Sequence, residues 1–356
     1  MTKKRLTWVD ALKGFLMILV VVGHYPGDLS FPLAQYIYWF HMPAFFLLSG
    51  LFFKPVLEKG QLKGAIHKRF MQLLVPYLFF VLLITVIRYG MEIGSGNFDL
   101  SWYLQDFWTL IVGGRFARGA YGVIWFVTTL FFTYIIFLFM TRYLNQTKQF
   151  ILLAVFYILA QAEGYLAMNI IGGAPDEASQ VIPMLWNADV ALVAVVYFAI
   201  GYYLKDFWMS ISWKWLSIAL SVTVAAFFLD YYGLIDYHLS LKFLRYEHPL
   251  LDLGIPVAIT TVFVGLFQRV ADWKAFAWLS KVENHSISIM YLHLLVNIMI
   301  SEYMEYGIFG YSLFGILVPI IASIAIRDAV PYGKLLLGGF RPRKRPKEHG
   351  DPITQS

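Results

Sequence analysis

Ten apolar stretches of about 20 residues, separated by polar segments, follow one another along the chain. A helix of that length matches the hydrocarbon core of a bilayer. The pattern therefore predicts an all-α integral membrane protein, a polytopic bundle of about ten transmembrane helices. The predicted spans are Trp8–His24, Phe31–Phe53, Phe70–Tyr89, Tyr121–Met140, Phe150–Ile171, Ala188–Leu204, Trp213–Tyr232, Leu250–Gln268, Ser286–Tyr303 and Ile308–Ile326.

The fifth predicted span is the least apolar, because Gln161 and Glu163 interrupt it. The distribution of positive charge supports it nevertheless. With ten spans and a cytoplasmic N-terminus, 22 of the 28 Lys and Arg residues fall in inner segments, in agreement with the positive-inside rule. Both termini are therefore predicted to be cytoplasmic. The four cations of the outer segments are Arg115, Arg118, Lys242 and Arg245.

The sequence predicts one membrane domain over residues 1–326. It is followed by a basic cytoplasmic tail, 327–356, which is predicted to be disordered because it is charged and contains proline. Composition agrees with a membrane protein, since 59% of the residues are hydrophobic and only 14% are charged. The absence of cysteine excludes disulfides, thiolate metal sites and cysteine nucleophiles. Nucleic-acid binding is not expected, because no soluble basic domain is evident.

Ionisable side chains inside a span are costly, so each is a candidate for function. The first span carries Asp10, Lys13 and His24 on one side of the helix, with Lys13 and His24 about 16 Å apart along the axis. This alignment predicts a polar stripe that runs from the inner end of the helix toward the outer end. The alternative is that Lys13 extends to the inner surface and that His24 lies at the outer interface.

Two further spans carry histidine. His41 lies in the outer half of the second span, level with His24, and is followed by Pro43, which can bend a helix. The ninth span presents Ser286 and His293 on one face, with His293 near mid-membrane. Structural histidines that only bond a neighbour would explain the same pattern without chemistry.

Imidazole exchanges protons near neutral pH, so these histidines suit acid–base chemistry on an alcohol. The chain contains no HExxH zinc signature, no GxSxG nucleophile elbow, no P-loop and no dinucleotide fingerprint. The expectation is therefore acid–base or acyl-transfer chemistry in a membrane cavity, with no metal site and no tightly bound cofactor.

Five segments, taken in order, resemble the signatures of the acyltransferase-3 family of integral membrane acyltransferases, and most of all its fucose O-acetylase-like branch. Each segment alone is a weak signal, whereas five in the right order form a specific pattern. The segments are Trp8–Gly14 with His24 ten residues later, Phe40–Gly50, Arg69 with Leu73–Tyr77, Ile124–Val127, and Asn284–His293.

The resemblance implies a multi-pass enzyme of the bacterial plasma membrane. Such enzymes move an acyl group, usually acetyl, from cytoplasmic acyl-CoA to an outer hydroxyl. The acceptor would be a carbohydrate, a glycolipid or a cell-envelope glycan such as an exopolysaccharide, and acetyl-CoA or another acyl-CoA would be the co-substrate. On this basis His24 and His293 are expected to be catalytic. The expected donor- or substrate-binding residues are Asp10, Lys13, His41, Arg69, Trp125 and Ser286.

The residue composition of two surfaces can be explained in two ways. The inner cations Lys63, Lys68 and Arg69 could meet the phosphates of CoA, although positive-inside topology explains them equally. The three long outer loops mix aromatic and polar residues, which suits either sugar binding or an interfacial belt.

Two other function classes stay open. A transporter or flippase for a lipid-linked sugar would use the same cavity without covalent chemistry, although the chain shows no internal repeat and no cluster of acidic relay residues. A membrane scaffold or sensor would have no reason to bury aligned histidines.

Overall fold

The computed structural model describes residues 6–27, 33–170, 184–246 and 248–340. Within these ranges the chain is helical and contains no β-strand, which confirms the all-α prediction there. The helices are α1 (Thr7–Gly23), α2 (Leu33–Tyr38), α3 (His41–Leu51), α4 (Leu62–Gly94), α5 (Leu100–Val112), α6 (Trp125–Tyr143), α7 (Gln146–Tyr165), α8 (Val190–Tyr203), α9 (Lys205–Met209), α10 (Trp213–Tyr231), α11 (Pro249–Val270), α12 (Ala277–Glu283), α13 (Ser286–Ser301), α14 (Ile308–Ala329) and α15 (Gly333–Leu336).

Seven helical segments in the described ranges are long and apolar enough to cross a membrane. α13 is apolar but has 16 residues, and α1 has 17 residues. The chain is a multi-pass membrane protein by these criteria, whereas the number of ten spans and the side of each terminus stay predictions. The seven segments are Leu62–Gly94, Gly119–Tyr143, Gln146–Asn169, Leu185–Tyr203, Trp213–Tyr231, Pro249–Val270 and Ile308–Ala329.

The second predicted span is not a single helix. A turn at Trp39 separates α2 from α3, which restarts at His41. Pro43 thereby lies in the first turn of α3, where its missing N–H costs no hydrogen bond. Trp39 Nε1 donates to the carbonyl oxygen of Tyr237 at 2.9 Å, and this bond holds the turn in place. The first residues of this predicted span, 31 and 32, lie outside the described residues.

Among the other differences from the predicted limits, two concern a site residue and the end of the domain. α4 begins at Leu62, eight residues earlier than predicted, so Arg69 lies inside a long helix. α14 continues to Ala329, three residues past the predicted end of the domain. α15 follows within the predicted tail, because Leu336 and Leu337 pack against a buried apolar cluster. Residues 341–356 lie outside the described ranges, and the disorder of the tail stays a prediction.

Glycine residues allow backbone contact between helices near the histidines. A Cβ on Gly50 of α3 would lie 1.8 Å from the carbonyl oxygen of Phe198, and one on Gly201 of α8 would lie 1.9 Å from that of Leu47. A Cβ on Gly14 of α1 would lie 2.0 Å from a carbonyl oxygen of α12. Only glycine permits such close approach. The two helices that carry His24 and His41 are thus closely packed against their neighbours.

Candidate active site

A cavity of about 560 Å³ lies where α1, α2, α3 and α13 meet the segments that precede α6 and α11. Much of its lining is apolar. Of the eight predicted site residues, His24, His41 and Trp125 line it directly. His293 lies behind His24 and contacts its ring.

His24 directly follows Gly23, the last residue of α1, and it lines the cavity. Its Nδ1 lies 2.7 Å from the carbonyl oxygen of Val20. Because a carbonyl oxygen only accepts, this bond places the proton on Nδ1 and leaves the lone pair on Nε2. The ring is therefore oriented as a neutral base whose accepting nitrogen is Nε2.

His293 supports the His24 ring from α13. It is fully buried, and its Nδ1 donates to the carbonyl oxygen of Ile289 at 2.8 Å and to that of Met290 at 3.0 Å. Its Nε2 consequently has a lone pair, which lies 3.4 Å from Nδ1 of His24. His293 can thus share the Nδ1 proton of His24 with Val20, which reinforces the same tautomer.

His41 adopts the same tautomer on the opposite side of a tyrosine. Its Nδ1 donates to the carbonyl oxygen of Ile37 at 2.7 Å, and the side chain is 1% exposed. Tyr38 lies edge-on to both imidazoles, with ring centroids 6.2 Å from His24 and 5.1 Å from His41. The break between α2 and α3 brings this tyrosine into the cavity lining. Tyr38 is not among the predicted site residues, although it lies only three residues before His41 in the sequence.

Trp125 is the first residue of α6 and is buried against the cavity. Its neighbour Phe126 packs against Phe45 and Phe46 of α3, with ring centroids 5.7 and 5.2 Å apart. Of these rings, Phe45 and Phe126 line the cavity on the side where α3 and α6 meet. Trp125 is accordingly placed where it can contact a ligand.

Four predicted binding residues are not part of the cavity lining: Asp10, Lys13, Arg69 and Ser286. Nζ of Lys13 lies 5.8 Å from the ring centroid of Phe52, and the guanidinium carbon of Arg69 lies 4.3 Å from that of Tyr134. On α1 the cavity reaches Met17, one turn or about 6 Å from Lys13. The predicted polar stripe therefore lies partly outside the cavity.

A buried ion pair positions the segments that cover the cavity. The guanidinium of Arg115 donates to Asp189, and both side chains are buried. Oδ1 of Asn187 accepts from the backbone N–H of Arg115 at 2.8 Å, and its Nδ2 donates to the carbonyl oxygen of Lys242 at 3.2 Å. Asn187 has a φ of +53°, a left-handed conformation that asparagine tolerates. Together these residues join three segments that are distant in sequence.

Residues 240–245 form a tight hairpin over the cavity. The backbones of Ser240 and Arg245 exchange two hydrogen bonds, at 2.9 and 3.0 Å. The chain before the hairpin is held at Tyr237, whose carbonyl oxygen accepts from Trp39 at 2.9 Å and from Gln35 at 3.2 Å. Burial raises the pKa of the Tyr237 hydroxyl well above its usual range, so the hydroxyl stays neutral.

This arrangement can accept a proton from a hydroxyl group in the cavity. Nε2 of His24 is the acceptor, and His293 holds the ring from the other side. No group of three His, Asp or Glu side chains within the described residues is arranged to hold a metal ion.

Comparison with known proteins gives one match over nearly the whole chain. The acyltransferase-3 family model, described as "Acyltransferase domain", matches residues 6–328. Nodulation protein NolL of Mesorhizobium japonicum is 36% identical over 88 residues, which cover 22% of this chain and 24% of that protein. Nodulation protein NolL of Sinorhizobium fredii is 38% identical over 88 residues, with the same coverage. The chain thus matches about a quarter of the length of these relatives, and no solved structure matches it significantly.

The family match includes α1, the break before α3, α6 and α13, which together build the histidine cavity. It covers far more than half of the chain, and it agrees with the resemblance that the sequence motifs indicate. The chain belongs to the acyltransferase-3 family.

Proposed function

We propose that this protein is a membrane O-acyltransferase, and specifically an O-acetyltransferase of the bacterial plasma membrane. It moves the acyl group of cytoplasmic acyl-CoA to a hydroxyl of an extracytoplasmic carbohydrate or cell-envelope glycan. The observation that carries the proposal is the orientation of His24, whose Nδ1–H is held by Val20 and His293 while the ring lines the cavity. Membership of an acyltransferase family supports the reaction class.

The proposed reaction uses Nε2 of His24 as the general base. Nε2 takes the proton of the acceptor hydroxyl as that oxygen attacks the thioester carbonyl. The new C–O bond forms, the C–S bond breaks, and the protonated imidazole returns its proton to the departing CoA thiolate. The same nitrogen could instead accept the acyl group first and pass it to the hydroxyl in a second step.

The acyl-CoA donor would approach from the end of α1 that carries Asp10 and Lys13. Lys63, Lys68 and Arg69 on α4 are the proposed contacts for its phosphates. In the structure a gap of one helical turn separates Lys13 from the cavity at Met17. The thioester arm would therefore have to displace side chains over that short distance to place its carbonyl beside His24.

The test uses purified protein in nanodiscs with radiolabelled acetyl-CoA and an envelope glycan extract. We expect wild type to release CoA and label the glycan, and His24→Ala to lose about 10²–10⁴-fold of that rate. His248→Ala is the matched control, because His248 is exposed and does not line the cavity. Absence of CoA release with any acyl donor, in folded protein, would refute the enzyme and favour a transporter or flippase.

A further inference from the structure

The main chain at His24 is held by a tyrosine from α14. His24 follows the last residue of α1, so its carbonyl oxygen lies beyond the hydrogen-bond ladder of that helix. The hydroxyl of Tyr311, in the first turn of α14, donates to this oxygen at 2.9 Å. The two residues are 287 positions apart in the sequence. A buried side chain of a distant helix therefore fixes the backbone of the residue that the proposed reaction uses.

With this bond, three of the four polar atoms of His24 have a protein partner. Its backbone N–H donates to the carbonyl oxygen of Val21 at 3.2 Å, and its ring Nδ1 donates to that of Val20 at 2.7 Å. Its own carbonyl oxygen accepts from Tyr311. Nε2 is the fourth polar atom, on a ring that lines the cavity. Backbone and ring are thus both tied to the protein, and Nε2 is the atom left for chemistry.

The Tyr311 ring is itself held by aromatic neighbours. It lies edge-on to Tyr25, with ring centroids 5.5 Å apart, and its centroid is 6.4 Å from that of Tyr306. All three tyrosines belong to, or pack against, one buried apolar cluster that includes Val21 of α1. These contacts depend on the ring, so they place the hydroxyl before it makes its bond to the backbone.

The segment that leads into α14 also supports the second histidine. The hydroxyl of Tyr306 donates to the carbonyl oxygen of Asn297 at 2.8 Å. Nδ2 of the buried Asn297 donates in turn to the carbonyl oxygen of His293 at 2.9 Å. Tyr306 therefore acts on α13, one turn after His293, whereas Tyr311 acts on α1.

α14 contacts both histidine-bearing helices directly at Gly315. A Cβ at this position would lie 2.8 Å from Cγ1 of Val21 on α1 and 2.7 Å from Nδ2 of Asn297 on α13. Only glycine permits such close approach. Gly315 lies four residues after Tyr311, so the two share one face of α14. That face packs against the two helices whose histidines meet.

We propose that Tyr311 is a positioning residue for the reaction. Its hydroxyl holds the His24 main chain, so that Nε2 of His24 keeps its place in the cavity beside His293. Tyr311 is not part of the cavity lining, so it acts through His24 and not on the substrate. The inference rests on the proposed function, since it concerns the base of that reaction. Displacing a catalytic group by about 1 Å costs about 10²-fold in rate, so a single bond that sets its position should matter.

The test begins with Tyr311→Phe, which removes the hydroxyl and keeps the ring contacts. We expect kcat in the nanodisc assay to fall about tenfold, the effect of one lost hydrogen bond. KM should change by less than about twofold, because the substrate contacts stay. Tyr103→Phe is the matched control, since the Tyr103 hydroxyl also donates to a backbone carbonyl oxygen, that of Asn97 at 2.8 Å, outside the cavity. It should leave both constants unchanged.

Hydrogen–deuterium exchange adds a measurement that does not depend on activity. In Tyr311→Phe the peptide that covers the end of α1 should exchange about tenfold faster, because its last turn opens more easily once the bond to His24 is lost. Peptides from the other helices should exchange as in the wild type. A merely structural role of Tyr311 would instead speed exchange in every helix and lower the unfolding midpoint.

Three results would overturn the inference, and they differ in what they leave standing. Unchanged kcat and unchanged exchange in Tyr311→Phe, beside an active wild type, refute the positioning role but keep the acyltransferase. Faster exchange in every helix, with a loss of activity that matches the loss of folded protein, does the same. Faster exchange at the end of α1 alone, in a protein that releases no CoA from any acyl donor, leaves the contact in place but refutes the reaction and the positioning role with it.

Discussion

Nε2 of His293 lies 3.4 Å from Nδ1 of His24, although 269 residues separate the two along the chain. The ring centroids are 5.1 Å apart, and His293 is fully buried. Each histidine donates its own Nδ1–H to a carbonyl oxygen of its own helix. The buried His293 imidazole therefore contacts Nδ1 of His24. The proposed base is Nε2, the other nitrogen of the His24 ring.

The first prediction concerns His293 as a positioning residue. His293→Ala should lower kcat about 10²-fold with little change in KM, because the His24 ring loses one of the two groups that hold its tautomer and orientation. His293→Gln should retain more activity, since a glutamine oxygen can still accept from Nδ1 of His24. The measurement is the pH profile of kcat for both variants. A purely structural role would instead lower the folded fraction and leave the shape of that profile unchanged.

The second prediction concerns acyl-chain length. Met17 is the cavity residue of α1 nearest to the proposed donor side, so shortening it should make room for a longer acyl group. Met17→Ala should raise the ratio of butyryl to acetyl transfer about tenfold, the usual effect of one or two methylenes in an apolar pocket. Met17→Leu keeps the volume and is the control. An unchanged ratio in folded Met17→Ala would place the acyl group elsewhere.

The third prediction concerns the contact between α3 and α8. Gly50→Ala should destabilise the protein by about 3 kcal/mol or more, because the added carbon would collide with the backbone oxygen of Phe198, which no side-chain rotation can relieve. Gly64→Ala is the control, since it adds a Cβ to α4 where no atom lies within 4 Å. That change should stabilise slightly through helix propensity. Thermal unfolding in detergent measures both, and equal midpoints would contradict the packing argument.

The fourth prediction concerns the buried ion pair. Asp189→Asn removes the carboxylate bonded to the buried Arg115 guanidinium, leaves only the neighbouring Glu163 as an acidic group beside it, and should cost about 3 kcal/mol. It should also loosen the hairpin that Asn187 holds, and so raise the KM for the acceptor. Asp328→Asn breaks an exposed ion pair with Arg327 and should change stability little. Similar unfolding midpoints for the two variants would show that Asp189 does not anchor the loops.

Several features of the site were accessible to sequence analysis because they depend on local properties. The first-span motif and the late Tyr-Leu-x-His segment identified His24 and His293 as candidates before any geometry was known. The break in the second span was harder to predict from the sequence. Pro43 indicated a bend, but whether the chain bends or restarts depends on the bond from Trp39 to Tyr237, which joins residues 198 positions apart.

The polar stripe shows that residues on one helical face do not all have to line the same cavity. Asp10, Lys13 and His24 share one side of α1 in the sequence pattern, since this follows from 100° per residue. The packing of neighbouring helices determines which part of that side lines the cavity. On α1 the lining ends at Met17. Likewise, the outer cations could be counted from the sequence, but which of them line the cavity could not be predicted.

The sequence by itself indicated the fold class and the family, and it made His24 a candidate, because apolar length and short motifs are properties of contiguous residues. The tertiary structure decided which residues meet. It paired His24 with His293, separated Lys13 and Arg69 from the cavity, and brought Lys242 to it. The physical reason is that these contacts arise from helix packing and loop anchoring between distant segments, which no local pattern encodes.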